Sequence, residues 1–100
     1  MTPAVQQTEA QFERAVIEYA ELNGWRVYHT YDSRRSNAGY PDLTLVRLSR
    51  LVFAELKTEK GRVSKAQQEW LDALNGTTTH IEIYLWRPSD WSEVEATLRR

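Results

Sequence analysis

The sequence predicts one α/β domain, in which a central mixed β-sheet is flanked by helices and the elements follow the order α-β-β-β-α-β-α. Segments with apolar residues at helical spacing alternate with segments rich in β-branched and aromatic residues. Gly, Asn and Pro separate these segments. One hundred residues suffice for one domain with one modest core, so we expect residues 1–100 to form a single domain with helices on both faces of the sheet.

The first helix is predicted over residues 8–23. Thr8 and Gln11 have the spacing of a capping box, and Asn23-Gly24 ends the segment as helix ends commonly do. Apolar side chains recur on one face of this helix: Phe12, Val16, Tyr19 and Ala20. The pattern indicates an amphipathic helix packed on the sheet.

Three strands follow the first helix. WRVYHTYD (25–32) is β-branched and aromatic, and residues 33–41 form a loop marked by Ser, Asn, Gly and Pro. DLTLVR (42–47) and LVFAELK (51–57) flank a connection short enough for a hairpin. We therefore expect these two strands to pair antiparallel around a tight turn at residues 48–50.

The last part of the chain predicts a helix, a strand and a short helix. Ser64 can cap a helix over residues 64–75, and HIEIYLW (80–86) is a strand. Asp90 and Glu93 have the spacing of a capping box for the last helix. Most aromatic residues here and earlier are expected in the core or at its rim, with Trp91 exposed.

Composition excludes several classes of protein. The chain has no cysteine, which rules out disulfides and thiolate metal sites. No aliphatic or aromatic run is longer than four residues, as in Leu51–Ala54, which is far too short to span a membrane. The start, MTPAVQQTEA, does not resemble a secretory signal. We expect a cytoplasmic protein.

Positive charge is concentrated in the middle of a chain whose net charge is −1. Residues 34–65 carry three acidic side chains and eight basic ones: Arg34, Arg35, Arg47, Arg50, Lys57, Lys60, Arg62 and Lys65. The local excess of five positive charges suits a polyanion. The excess is explained equally well if these basic side chains lie by chance in two loops and are solvated by water.

Three charged residues lie at the outer ends of the two hairpin strands. Asp42 begins its first strand, and alternation places Glu55 and Lys57 on one face at the end of its second strand. Hairpin pairing should bring Asp42 and Glu55 to the same end of the sheet, where two carboxylates repel each other. Lys57 leaves a net negative charge, which a hard divalent cation with oxygen ligands would neutralise. The structural alternative is an exposed salt bridge between Glu55 and Lys57.

These residues resemble a known nuclease pattern. Within GYPDLTLVR and LVFAELKTEKGRVSKAQQEW, Pro41-Asp42 and Glu55-Leu56-Lys57 match the two halves of the PD-(D/E)XK motif. The chain is similar over nearly its whole length to the VRR-NUC family of stand-alone nucleases in that superfamily. The 13-residue spacing from Asp42 to Glu55 is also similar to that of archaeal Holliday-junction resolvases. The resemblance implies a restriction-endonuclease-like fold.

The resemblance also implies a phosphodiesterase that depends on Mg²⁺ or Mn²⁺. Asp42, Glu55 and the backbone carbonyl of Leu56 would hold the metal ion. Lys57 would orient or deprotonate the attacking water and stabilise charge on the phosphate. Elementary chemistry agrees, because a metal ion lowers the pKa of bound water and lysine is a compact donor to an anion.

A glutamate from the first helix completes such sites in the family. Glu13 stands 11 residues before Gly24, the register of the resolvase relatives, and is the preferred candidate. Glu9 points further into the apolar face, although a carboxylate in the first turn is also favoured by the helix dipole. His29 in the first strand is interpreted as structural.

A family glutamine and a set of polar residues complete the expected site. Gln67 matches the glutamine that VRR-NUC members carry in the next helix, but it is also placed to cap that helix with Ser64. Six residues in or beside the flanking loops could bind phosphates on either side of the cut without reading the base sequence: Arg34, Arg35, Ser36, Lys60, Arg62 and Lys65. The alternative interpretation is that these side chains are only solvated by water.

The expected function is therefore a metal-dependent DNA endonuclease selective for structure, such as a junction, flap or nick. The sequence shows no established base-reading motif. A homodimer is expected, because a two-fold enzyme matches substrates cut on both strands and the related stand-alone proteins suggest it. The alternative is a catalytically silent DNA- or partner-binding module. DNA against RNA, endo against exo cleavage, and Mg²⁺ against Mn²⁺ remain open.

Overall fold

The structure of the chain, a computed structural model, describes residues 7–31, 37–77 and 80–100. Its elements are α1 (Glu9–Leu22), β1 (Arg26–His29), β2 (Leu43–Arg47), β3 (Arg50–Leu56), α2 (Lys65–Asn75), β4 (Ile81–Trp86), a 3₁₀ turn (Pro88–Asp90) and α3 (Trp91–Arg99). The predicted order of helices and strands is confirmed. Across the described ranges, no helix combines the length and apolarity that a bilayer crossing needs.

The four strands form one mixed sheet in the order β1-β2-β3-β4. The first three pair antiparallel, and β4 joins β3 in parallel after the crossover through α2. The hairpin turn consists of Leu48 and Ser49, with Arg47 paired to Arg50. Leu48 has a φ of +55°, the left-handed conformation that tight hairpins require. The first strand is shorter than the predicted 25–32.

The main core lies between the sheet and the pair α1 and α3. The predicted apolar face of α1 is confirmed, since Phe12, Val16 and Ala20 are fully buried. The opposing residues come from the sheet and from α3: Leu43, Leu45, Val52, Ala54, Leu56, Trp86, Val94 and Leu98. Burial of each large apolar side chain contributes about 1.5–3 kcal/mol, so this layer fixes α1 against the sheet.

The other face of the sheet is covered by α2. Trp70 of α2 meets Tyr40 edge to face at 5.0 Å between ring centroids, and Tyr40 meets Phe53 of β3 at 6.2 Å. Because Phe53 alternates with the core-facing residues of β3, α1 and α2 lie on opposite faces, as predicted. The loop that carries Tyr40 is thereby held between α2 and the sheet.

Two arginines from the basic middle of the chain have a structural role. Arg47 and Arg50 place their guanidinium carbons 4.6 and 4.9 Å from the ring centroid of the buried Trp25. Arg47 donates to the carbonyl of Leu98 at 3.0 Å, and Arg50 donates to the carbonyl of Thr97 at 3.1 Å as well as to Glu82 of β4 at 2.8 Å. These contacts hold the C-terminal helix against the sheet, so the two arginines do not belong to the expected polyanion surface.

Two expectations for the last helix are wrong. Asp90 makes no side-chain cap for α3 and so forms no capping box with Glu93. Its carboxylate instead accepts the backbone N–H of Arg87 at 2.9 Å, which closes the 3₁₀ turn. Trp91 is half-buried, because it packs against the core and meets Tyr19 at 5.8 Å between centroids.

Candidate active site

Asp42 and Glu55 lie side by side where β2 begins and β3 ends. Leu43 faces Ala54 in the β2–β3 register, so the next two positions outward are Asp42 and Glu55, on one face of the sheet. Asp42 Oδ2 accepts a 2.8 Å hydrogen bond from the backbone N–H of Leu56. The hairpin therefore brings the two acids together, as its pattern predicts.

Glu55 places its carboxylate almost out of contact with water. The residue is 1% exposed, and among the described residues its Oε1 atom finds no hydrogen-bond partner. Burial first, and then the charge of Asp42, raise the pKa of Glu55 to about 8, while Lys57 acts in the opposite direction. An unpaired buried charge is costly, so the site favours a proton or a cation beside Glu55.

Lys57 brings a positive charge to this pair. Its Nζ lies 3.8 Å from Glu55 Oε2, and its side chain is only 12% exposed. Its backbone N–H donates to the carbonyl of Trp86 at 3.0 Å, which ties the end of β3 to β4. The structural alternative of an exposed Glu55–Lys57 salt bridge is wrong, since both side chains are largely buried.

Two glutamates of α1 approach the same end of the sheet. Burial and the charge of Asp42 raise the pKa of Glu9, against the effect of Lys57. Burial also raises the pKa of Glu13, where His29 opposes it and Asp42 and Glu9 add to it. Of the two, Glu9 is the one that raises the pKa of Glu55. The preference for Glu13 as the supporting carboxylate stays a prediction.

His29 contacts the first-helix carboxylate from the sheet. Its Nε2 lies 3.5 Å from Glu13 Oε1, and its ring centroid is 4.3 Å from that of Tyr31. The contact links β1 to α1, which agrees with a structural interpretation of this histidine. Local sequence patterns held no sign of it, because it depends on how α1 lies across the sheet.

The backbone around Asp42 is fixed by two features. Thr30, which the sequence analysis missed, donates its N–H to the carbonyl of Asp42 at 2.8 Å and its hydroxyl to that of Pro41 at 2.9 Å. Gly39 has a φ of +90°, and a Cβ there would lie 2.4 Å from the carbonyl carbon of Ala66. This left-handed conformation favours glycine, and the adjoining backbone of α2 leaves no room for a side chain.

Gln67 forms the capping box that its spacing with Ser64 indicates. Its side-chain oxygen accepts the N–H of Ser64 at 2.8 Å, and its own N–H donates to Ser64 Oγ at 3.1 Å. Both bonds satisfy donors at the start of α2. Participation of Gln67 in the reaction stays a prediction.

The expected DNA-binding residues fall into two groups. Three of them lie outside the described residues: Arg34, Arg35 and Ser36. The other three are exposed: Lys60 and Arg62 on the connection from β3 to α2, and Lys65 at the start of α2. The second group is available to a ligand, and its contact with DNA stays a prediction.

Arg87 holds the connection that carries Lys60 and Arg62. Its guanidinium donates to the carbonyls of Thr58, Glu59 and Gly61 at 2.6, 3.2 and 2.8 Å. Glu59 in turn accepts the N–H of Ser89 at 2.6 Å. No local pattern in the sequence singles out this arginine, which fixes the chain directly after Lys57.

The oxygen donors of the pair suit a hard divalent cation. Across residues 7–31, 37–77 and 80–100, no group of three or more His, Cys, Asp or Glu side chains is arranged to hold a metal ion. Magnesium is often bound by only one or two carboxylates together with water and substrate phosphate. Asp42 and Glu55 offer two carboxylates, and the unpartnered Glu55 Oε1 is an atom that a cation would satisfy.

Comparison with known proteins identifies a family and a fold. The family model for the VRR-NUC domain matches residues 2–85. A solved structure named "VRR_NUC domain" aligns with 94% of this chain and 97% of its own, at a TM-score of 0.70 and 17% identity. Another, "VRR_NUC domain protein", aligns with 92% and 85%, at the same TM-score and identity. No curated protein matches.

Proposed function

The chain belongs to the VRR-NUC family of nuclease domains, and we propose that it is a metal-dependent endonuclease that hydrolyses phosphodiester bonds in DNA. The observation that carries the proposal is the burial of Glu55 beside Asp42, with a carboxylate oxygen that has no hydrogen-bond partner among the described residues and a pKa raised to about 8. A fold alone has no need of two adjacent acids in such a position, since two carboxylates with a single lysine beside them keep a net negative charge, which destabilises a protein when it is buried.

Asp42 and Glu55 would hold the metal ion, with the backbone carbonyl of Leu56 and one glutamate of α1, Glu13 or Glu9, in support. When bound, Mg²⁺ or Mn²⁺ supplies polarisation of a phosphoryl oxygen and a lowered pKa for water. Binding requires Glu55 in its ionised form, so the site must release the proton that its raised pKa retains near neutral pH.

Lys57 would act on the phosphate and on the attacking water. Its ammonium group is held near the acids, 3.8 Å from Glu55 Oε2, where it can donate to a non-bridging phosphate oxygen as negative charge develops. The same group can orient a water molecule for direct attack on phosphorus. The leaving oxygen then departs without a covalent intermediate on the protein.

Substrate selection by structure follows from what the chain offers. Lys60 and Arg62 are exposed on a connection that Arg87 fixes, and Lys65 is exposed at the start of α2. Lysine or arginine contacts to phosphates position DNA without reading its sequence. We therefore propose junctions, flaps or nicks as substrates. A homodimer would supply a second site for substrates that are cut on both strands.

Cleavage of end-labelled DNA tests the proposal. Single-stranded, duplex, nicked, flap and four-way-junction substrates are incubated with Mg²⁺, Mn²⁺ or EDTA, with wild-type protein and the isosteric variants Glu55→Gln and Asp42→Asn. Glu18→Gln, an exposed position on α1, is the matched control. We expect metal-dependent cuts by the wild type and the control, and none by the two site variants.

Two outcomes would contradict the proposal. Cleavage that persists in EDTA, or in folded Glu55→Gln, would show that the chemistry lies elsewhere. Binding of these DNAs without cleavage under either metal would favour the alternative function, a DNA-binding module on the same fold.

A further inference from the structure

A cleft opens on the α2 face of the sheet. Its volume is about 400 Å³, and the described residues that line it are Tyr28, Thr30, Asn37, Tyr40 and Trp70. This volume lies within the range of roughly 300–1,000 Å³ that is typical of small-ligand sites. Among these described residues three side chains are aromatic, and none is lysine or arginine. This part of the lining therefore offers flat ring surfaces on which another ring can stack.

The cleft adjoins the candidate active site on the same face of the sheet. The strand registers place Thr30 opposite Asp42 and Asp42 opposite Glu55, so these three residues form one row across β1, β2 and β3. Tyr28 stands two positions back along the same face. With strands about 4.8 Å apart, the cleft wall at Thr30 lies roughly 5 Å from the position of Asp42 and 10 Å from that of Glu55.

One aromatic side chain of the cleft is exposed to water, and the other two pack against each other. Tyr28 is 63% exposed, which leaves a large ring surface in contact with water. Trp70 is fixed by its edge-to-face contact with Tyr40, at 5.0 Å between centroids and 80° between ring planes. Asn37 adds an amide that can both donate and accept a hydrogen bond. Stacking surfaces with one such amide match the π-face and polar edge of a nucleobase.

We propose that this cleft receives one unpaired nucleobase of the DNA strand that is cut, stacked on Tyr28. The proposal rests on the nuclease function proposed above and defines its substrate class: DNA with an unpaired nucleotide beside the scissile bond. A base that remains stacked in a duplex cannot enter such a cleft. Fully paired duplex DNA is therefore a poor substrate.

The test compares flap DNA that carries a normal base, or an abasic site, at each position next to the mapped cut. The variants are Tyr28→Ala, which leaves the core intact because the residue is exposed, and Tyr28→Phe, which keeps the ring. Tyr31→Ala is the matched control, since Tyr31 is 79% exposed and lies next to His29, outside the cleft. The readouts are kcat/KM with Mg²⁺ and, in EDTA, quenching of 2-aminopurine placed at the same position.

On the base-containing flap, Tyr28→Ala should lower kcat/KM between about fivefold and 150-fold, because base stacking on an aromatic residue contributes ~1–3 kcal/mol. On the abasic flap, Tyr28→Ala and wild type should cleave equally. Tyr28→Phe and Tyr31→Ala should stay within about twofold of wild type on both substrates. Quenching of 2-aminopurine should occur with wild type and be lost in Tyr28→Ala.

The results separate this proposal from the one it rests on. A wild-type protein that cleaves no substrate overturns the nuclease function, and the role of the cleft with it. Wild-type cleavage combined with a Tyr28→Ala effect that is absent, or equal on base-containing and abasic flaps, overturns the cleft alone.

Discussion

Replacement of Glu55 by glutamine should remove a pH dependence from the stability of the metal-free protein. The pKa of Glu55 is raised from 4.5 to about 8 in the folded chain. Between these values the folded protein keeps a proton that the unfolded chain releases, so this stabilisation is complete below pH 4.5 and is lost as pH rises through 8. From pH 6 to pH 8.5 the two pKa values predict a loss of about 2.5 kcal/mol in the free energy of unfolding.

Urea unfolding in EDTA at pH 6, 7 and 8.5, followed by circular dichroism, measures this loss. The Glu55→Gln profile should be much flatter than that of wild type, and the variant should be the more stable protein at pH 8.5, because glutamine keeps the shape and carries no charge. Glu18→Gln should follow the wild type. Glu82 does not interfere, since hydrogen bonding to Arg50 lowers its pKa to about 2. Parallel profiles for wild type and Glu55→Gln would refute the reasoning.

Three further predictions concern the surroundings of Glu55, the loop before Asp42 and the metal. In the same titration Glu9→Gln should lower the apparent pKa of Glu55, which Glu9 raises, and Glu13→Gln should change it little; equal shifts would contradict this. Gly39→Ala should lower the free energy of unfolding by about 1–3 kcal/mol, because φ is +90° and the new Cβ would lie 2.4 Å from the α2 backbone. Gly76→Ala, at a residue whose φ is −80°, should leave the free energy of unfolding unchanged or raise it in the same urea experiment. Removal of Mg²⁺ should lower the Tm of wild type but not of Glu55→Gln, because a ligand that binds only the folded state stabilises that state. A wild-type Tm that is the same with and without Mg²⁺ would argue against a cation site.

The parts of the fold that follow from neighbouring residues were predictable. The capping boxes at Thr8 and Ser64 both form, because each depends on residues three positions apart. The apolar face of α1 and the β2–β3 hairpin follow in the same way from periodicity. A local rule fails where two partners compete for one side chain. Asp90 has the spacing to cap α3, yet its carboxylate binds the N–H of Arg87.

Contacts between distant parts of the chain were not predictable from local patterns. The indole N–H of Trp25 donates to the carbonyl of Leu98, 73 positions away, and Arg47 binds the same carbonyl. Arg47 therefore looks like part of a basic surface in the sequence and is a structural residue in the fold. The choice between Glu9 and Glu13 has the same origin, because it depends on how α1 is rotated against the sheet.

That Asp42 and Glu55 lie at the same end of the sheet was predictable, because a hairpin converts spacing along the chain into proximity. Their common face was not, because the turn was predicted at residues 48–50 and in the structure it is one residue shorter. The paired residues of β2 and β3 run from Arg47 and Arg50 to Leu43 and Ala54, and the two members of each pair lie on one face of the sheet. Asp42 and Glu55 are the next pair after Leu43 and Ala54. The position of Asp42 and Glu55 on one face therefore depends on a turn of two residues, Leu48 and Ser49. A turn longer or shorter by one residue would move Glu55 to the opposite face from Asp42. An exposed turn that takes no part in the chemistry thus sets the geometry of the candidate active site.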